Sequence, residues 1–397
     1  MRCLMIGLIW LAVYCPALAA ETHFDVNSQV QAQQASGSAL FPATDGWAQV
    51  EALDATVEYH GLRLAATAWR EHERSWSDHM TLSELFYDFN LGNFYLSVGK
   101  KKIDWGVGYG FRPLDMFSPV SPLALYTAVE PGVWQMSADY FTANSSLTLL
   151  CNQSQPTYRI AGRLVEPGFG CGGRYHSMDG SLGWQVIAHY DSRLKSRIGG
   201  SMVDVLGDAL EVHAALLWQQ RYDTPVFHPD RIGLDHFVNP VTTGSRRGAW
   251  QALAGITYTT RFQLSVIMEY WYDGRAPSRS QWRTLLATAD MQATHAGENL
   301  LYSYQLSAER QMFATQNLFR QSFLLHLRMP LTHWRPQLTL VYNPQDGGFL
   351  VDGKLGYYWS GGNNVALGTR WYGGPRHAVY RQLDYGHTLY LNTELVF

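Results

Sequence analysis

Charge is scarce in this sequence. Lys, Arg, Asp and Glu make up 16% of its 397 residues, well below the roughly 25% of an ordinary soluble domain. The net charge of −3 leaves no basic footprint for nucleic acid. Beyond residue 20 there is no run of about 18 uninterrupted apolar residues, which excludes helical membrane spans. The chain contains no HExxH, no Gly-rich phosphate loop and no cysteine cluster, so the sequence implies no metal and no cofactor. His189, His213 and His326 lack a histidine two residues away. Cysteine is nearly absent too, with only Cys3, Cys15, Cys151 and Cys171.

Two of those cysteines fall in residues 1–20. Arg2, the apolar stretch Leu4–Tyr14 and Ala17-Leu18-Ala19 read as a secretory signal peptide cut after Ala19 or Ala20. The apolar stretch is short for a membrane anchor. In an oxidising export compartment the remaining pair, Cys151 and Cys171, is expected to form a disulfide.

What is plentiful is aromatic content, 14% of residues, and a period of two. Leu85, Tyr87, Phe89 and Leu91 alternate with Glu84, Phe86, Asp88 and Asn90. Leu210, Val212, Ala214, Leu216 and Trp218 alternate with Glu211, His213 and Gln219. The last stretch, HTLYLNTELVF, sets Leu389, Leu391, Thr393, Leu395 and Phe397 against Thr388, Tyr390, Asn392, Glu394 and Val396. Segments of about ten residues with this pattern, several closing on Tyr or Trp, are the signature of transmembrane β-strands. Turn signals such as Gly92-Asn93 and Gly361-Gly362-Asn363 separate them. A soluble β-sandwich has the same period but shorter strands.

In its leader, its alternation and its final Phe, the chain resembles Gram-negative outer-membrane β-barrels. That resemblance implies one antiparallel barrel over residues 21–397. Its final strand, with Phe397 and Leu395, would be read by the barrel-assembly machinery and close against the first strand. Outer-membrane lipid and lipopolysaccharide would surround it, and assembly as a homo-oligomer is open. About 20 segments can be drawn, those at 146–152, 157–164, 169–177 and 200–206 being poor. With both termini on one side the strand number is even, and sixteen or eighteen is expected, within a range of about 14–20. Residues 105–131, 220–247 and 274–297 become extracellular or lumen-filling loops.

The most distinctive internal stretch is VGKKKIDWGVGYGFRPLDMFSPVSP, residues 98–122. It resembles a WGxGxxFxPxDxF segment of porin-like barrels through Trp105, Gly106, Gly108, Phe111, Pro113, Asp115 and Phe117. Strict alternation places Lys100, Lys102 and Asp104 on the lipid face. A bulge at Gly99 would swing all three into the lumen and turn Ile103 and Trp105 outward. Alternatively the lysines lie at the outer rim, near lipopolysaccharide phosphates. Residues 106–122 either fold inward as a constriction offering Arg112 and Asp115, or form an outer loop, which is preferred. Further lumen candidates are Arg159, Arg163, Arg320, Arg328, Lys354 and Arg370, against Glu84, Asp88, Asp139, Glu211, Glu269, Asp352 and Glu394. Opposed charges favour water and polar solutes, unless they pair and plug the barrel.

The function expected is a passive or weakly selective channel for small hydrophilic solutes, saccharides among them. The alternative is a non-conducting barrel acting as scaffold or partner-binding component of an envelope assembly or polysaccharide export system. An enzyme is not expected. His176-Ser177 resembles the motif of outer-membrane phospholipases only loosely, since there the His and Ser are separated by one residue and followed by Asn-Gly.

Overall fold

The computed structural model describes residues 23–41, 47–72, 76–117, 132–154, 168–233, 237–297, 299–315 and 317–396. Residues 1–22 and Phe397 lie outside them. The first strands are His23–Ala35 (β1), Trp47–Tyr59 (β2), Leu62–His72 (β3), Trp76–Leu91 (β4), Phe94–Lys101 (β5) and Val133–Phe141 (β6). Next come Ser145–Ser154 (β7), Gly168–Asp179 (β8), Leu182–Asp191 (β9), Lys195–Leu206 (β10), Leu210–Phe227 (β11) and Val241–Thr259 (β12). The last are Ser265–Asp273 (β13), Gln321–Arg328 (β14), Trp334–Tyr342 (β15), Phe349–Tyr358 (β16), Asn364–Gly373 (β17) and Tyr385–Val396 (β18).

Each strand pairs antiparallel with its sequence neighbours, and β18 returns to pair with β1, Leu395 opposite Val26. The sheet is a closed barrel of eighteen strands. Closure leaves no row of unpaired backbone groups to face hydrocarbon. No helix among the described residues is long and apolar enough to cross a membrane; the apolar outer face is carried by the strands.

Side-chain alternation explains the closure. Outward residues such as Leu149, Val186, Ile198, Leu216, Leu367 and Leu391 are apolar and exposed, while inward neighbours such as Thr148, Gln185 and Thr388 are buried. Two aromatic girdles bound the outer face. On β15, Trp334 and Tyr342 stand eight residues apart, about 26 Å along the strand and about 20 Å across a bilayer at a tilt near 40°. Cys151 of β7 lies directly opposite Cys171 of β8 on this outer face, and the two form the expected disulfide.

Short turns join the strands at one end and long connections at the other. Of the four poor segments, 146–152, 169–177 and 200–206 fall in β7, β8 and β10. Segment 157–164 lies outside the described residues; β7 and β8 pair directly. Residues 220–247 are strand at both ends and loop only over 228–240, because β11 and β12 stay paired as far as Phe227 and Val241. The connection 274–320 is helical: α1 (Arg279–His295) and α2 (Leu300–Glu309) form a hairpin. Ser278 caps α1 in a reciprocal capping box with Gln281, and Trp282, Leu285, Leu286 and Ala289 bury one face.

That hairpin, residues 36–41 and the β5–β6 connection meet inside the mouth. Leu40, Trp105, Phe111, Leu114, Leu285 and Met312 join inward residues of the wall in one buried apolar cluster. The interior is therefore only partly hydrated, a correction to the expectation drawn from the strands alone. Loops that enter the lumen bring their own aromatic side chains with them.

Candidate functional site

The site begins where β5 ends. Gly99 has φ +130°, yet it stays in register with Phe86 and Gln135. The nearby irregularity lies instead between β3 and β4, at Ala65/Ala66. The bulge at Gly99, one of two alternatives, is thus absent from the pairing, and alternation runs on unbroken. Lys100 keeps the outward register beside Trp134, its Nζ donating to the Leu82 carbonyl at 2.5 Å. It does not line the lumen. The inward residue is Lys101, paired with Asp88 at 3.0 Å.

Beyond Lys101 the chain turns into the barrel, which buries Ile103 and Trp105 instead of exposing them outside. Its first tether is the Lys102 N–H, donating to Glu84 on β4 at 2.9 Å. The Trp105 carbonyl then accepts from Gln185 on β9 at 2.5 Å. The Met116 carbonyl accepts from Arg197 on β10 at 3.0 Å, and Phe117 sits edge-on to His189. At the far tip, the Tyr109 and Gly110 N–H groups donate to the Glu269 carboxylate on β13. His213 on β11 approaches the same carboxylate at 3.2 Å. The Tyr109 ring stacks on His326 of β14, 4.2 Å between centroids. Strands β5 and β14 are half the barrel's circumference apart, so the described part of the loop, 102–117, spans the barrel. It is an inward loop, contrary to the preferred reading.

Its fold is held by one buried carboxylate. Asp115, 1% exposed, accepts from the N–H groups of Trp105 and Gly106 and faces Arg112 at 3.4 Å. Burial and the neighbouring Asp104 push its carboxyl up to about 7, against the pull of Arg112 and the two backbone donors. Asp115 and Glu269 are therefore anchors, not groups offered to solute. The charges left at the loop's open edge are half-buried Lys102, exposed Asp104 and Arg112, which pairs with Asp104 at 2.9 Å.

Beyond the first tether, on β4, the loop's tethers fall on β9–β14. The complementary arc of wall, β16–β18 and β1–β4, is polar and cross-linked. Arg370 meets Asp352 at 3.0 Å, and Tyr390 donates to the same carboxylate at 2.9 Å. Asn364 donates to Glu394, Thr67 to Asp54, and Arg63 to Glu84. Gln31 and Gln33 bond to each other at 3.0 Å.

Other candidates scatter. Glu211 and Arg328 lie at the short-turn ends of β11 and β14. Arg320, just before β14, donates to the Ala276 carbonyl at 3.0 Å and so secures the helical connection, not a pore. Arg159 and Arg163 lie outside the described residues. His176 and Ser177 are adjacent in β8, so their side chains point to opposite faces and form no dyad.

Sequence reasoning passed over Tyr109, Gln185 and Arg197, and the helices entirely. The capping box at Ser278 and the spacing 282, 285, 286, 289 carried the helical signal. Nothing local to Gln185 or Arg197 marked them as loop tethers.

No protein-family model and no curated protein matches this sequence. Solved structures do match in fold. OccAB1 of Acinetobacter baumannii superposes with a TM-score of 0.57 at 9% identity, over 95% of this chain and 96% of that one. OccAB4 of the same organism gives 0.56 at 9%, covering 95% and 98%. OccK8 (OprE) of Pseudomonas aeruginosa gives 0.55 at 10%, again covering 95% and 98%. The chain therefore shares its barrel fold with these Acinetobacter and Pseudomonas proteins.

Proposed function

We propose that this chain is an outer-membrane, porin-like channel for passive or weakly selective passage of small hydrophilic solutes. One observation carries the reading: an inward loop is bolted to one side of a closed barrel and leaves a polar, charge-paired wall facing its open edge. Lys102, Asp104 and Arg112 on the loop, with Arg370 and Asp352 on the wall, are the residues assigned to the constriction. Paired charges of both signs disfavour strong ion selectivity and favour neutral polar solutes such as saccharides. The leader 1–20 directs export, and the C-terminal residues Leu395 and Phe397 are read by the barrel-assembly machinery. Lipid and lipopolysaccharide surround the outer face.

Reconstitution of the purified mature chain into planar bilayers tests this. Discrete conductance steps are expected, with Arg112→Ala and Asp104→Ala altering conductance or reversal potential. A silent wild-type barrel overturns the channel. A second reading, the non-conducting scaffold, is favoured by the apolar cluster in the mouth. A wild type that is silent while a variant lacking 279–309 conducts would support it.

A further inference from the structure

An outward cleft opens on the opposite side of the wall from the lumen. At the long-loop end of β16–β18 and β1 the outward residues are Phe349, Trp371, His387 and Gln34. Register links them: Trp371 lies opposite His387, and His387 opposite Gln34. The connections 343–348 and 374–384 overhang this rim. Between strands and overhang lies a cleft of about 650 Å³, with Trp371, His387, Gln34 and Arg381 among its walls. Gly347, Gly374 and Gly386 leave backbone bare along it.

Four features set its chemistry. The Trp371 ring is 63% exposed and belongs to the aromatic girdle at the long-loop end, so the cleft sits at headgroup depth. Tryptophan offers a flat apolar face with a polar edge, which suits a sugar ring. Gln34, Ser36 and His387 supply hydrogen-bonding groups around it. Arg381 is exposed and has no acidic partner among the described residues, and a guanidinium matches phosphate geometry. Toward the membrane the outward face continues as Leu389, Leu391 and Leu367, exposed and apolar, where acyl chains would lie.

We propose that this cleft binds the phosphorylated sugar headgroup of one outer-leaflet glycolipid, with Arg381 on the phosphate and Trp371 on the sugar ring. The inference rests on the outer-membrane reading above and adds to it a specific lipid site. Glycolipid held there would brace the β18–β1 closure from outside.

Lipid A is the probe, bound to the folded full barrel in detergent and counted by native mass spectrometry. Arg381→Glu is expected to weaken binding about tenfold, the loss of one charge-assisted contact, and Trp371→Ala to weaken it less. Arg376→Glu, on the same overhang but outside the cleft, serves as the control and keeps wild-type binding. Heat-modifiable gel mobility verifies that each variant is folded. Undiminished binding in Arg381→Glu overturns the proposal, as does an equal loss in Arg376→Glu. Displacement of lipid A by inorganic phosphate at equal concentration also overturns it, because the sugar would then be irrelevant. Fractionation of the wild type tests the outer-membrane reading separately, since binding in detergent is measured wherever the chain resides.

Discussion

Glu309 shows how much one buried group can control. It closes α2 at 0% exposure, facing Gln292 and Gln305, both also at 0%. With its amide nitrogen turned toward the carboxylate, Gln292 donates at 2.9 Å. Burial pushes the carboxyl up to about 8, the Gln292 bond only partly opposing it. The folded value lies above the unfolded one, so the helical hairpin is firmest below about pH 4 and loosens as pH rises through 8. Amide exchange in residues 279–309, corrected for intrinsic rate, should accelerate between pH 6 and about 8.5. Glu309→Gln should abolish that acceleration, and a persisting pH dependence would assign it to another group. Glu269 is the matching case in the β5–β6 loop. Glu269→Ala strands two backbone N–H groups at about 1–3 kcal/mol each, so the loop tip should detach. Limited chymotrypsin digestion should then cut after Tyr109 or Phe111 in the variant and spare both in the wild type.

At the scale of elements, β5 must launch a loop inward while its last residues stay paired. Gly99 makes this possible. At φ +130° a side chain is strained, and a Cβ there would be driven into the Leu85 carbonyl and against Phe86. Gly99→Ala should lower barrel stability by about 1–3 kcal/mol, read as an earlier urea midpoint by intrinsic fluorescence. An unchanged midpoint would mean that β4 and β5 can separate without cost. Across the lumen, Gly110 lies so close to Leu324 and Trp271 that a Cβ would collide with the Leu324 side chain. The glycine spacing of WGVGYGF thus reflects close approach of the loop to the far wall. The sequence displayed those glycines plainly but not the surface they approach.

For the whole molecule, the barrel and its contents separate in what they require. Replacing 102–132 by a short turn should leave the eighteen-stranded sheet closed while enlarging the conductance, because every strand pairing that closes the sheet lies outside the loop. Loss of folding, detected as loss of heat-modifiable mobility, would show instead that the loop is part of the barrel's own stability. The outward placement of Ile103 and Trp105 that a bulge at Gly99 would have produced is not realised, since the pairing there is regular and the chain leaves the sheet for the interior after Lys101.

The period of two, the scarcity of charge and the spacing of turns were enough to specify a closed antiparallel barrel. Each outward position must be apolar and each inward one tolerant of water, whatever lies far away in the chain. The cysteine pair was legible for a similar reason, since Cys151 and Cys171 are the only cysteines beyond residue 20. The traverse from β5 to β14, the burial of Asp115 and Glu269 and the tethering by Gln185 and Arg197 were decided by the tertiary structure. Those contacts join residues up to 217 positions apart, as Tyr109 and His326 are, and no local pattern encodes which wall a loop will meet once the sheet has curled shut.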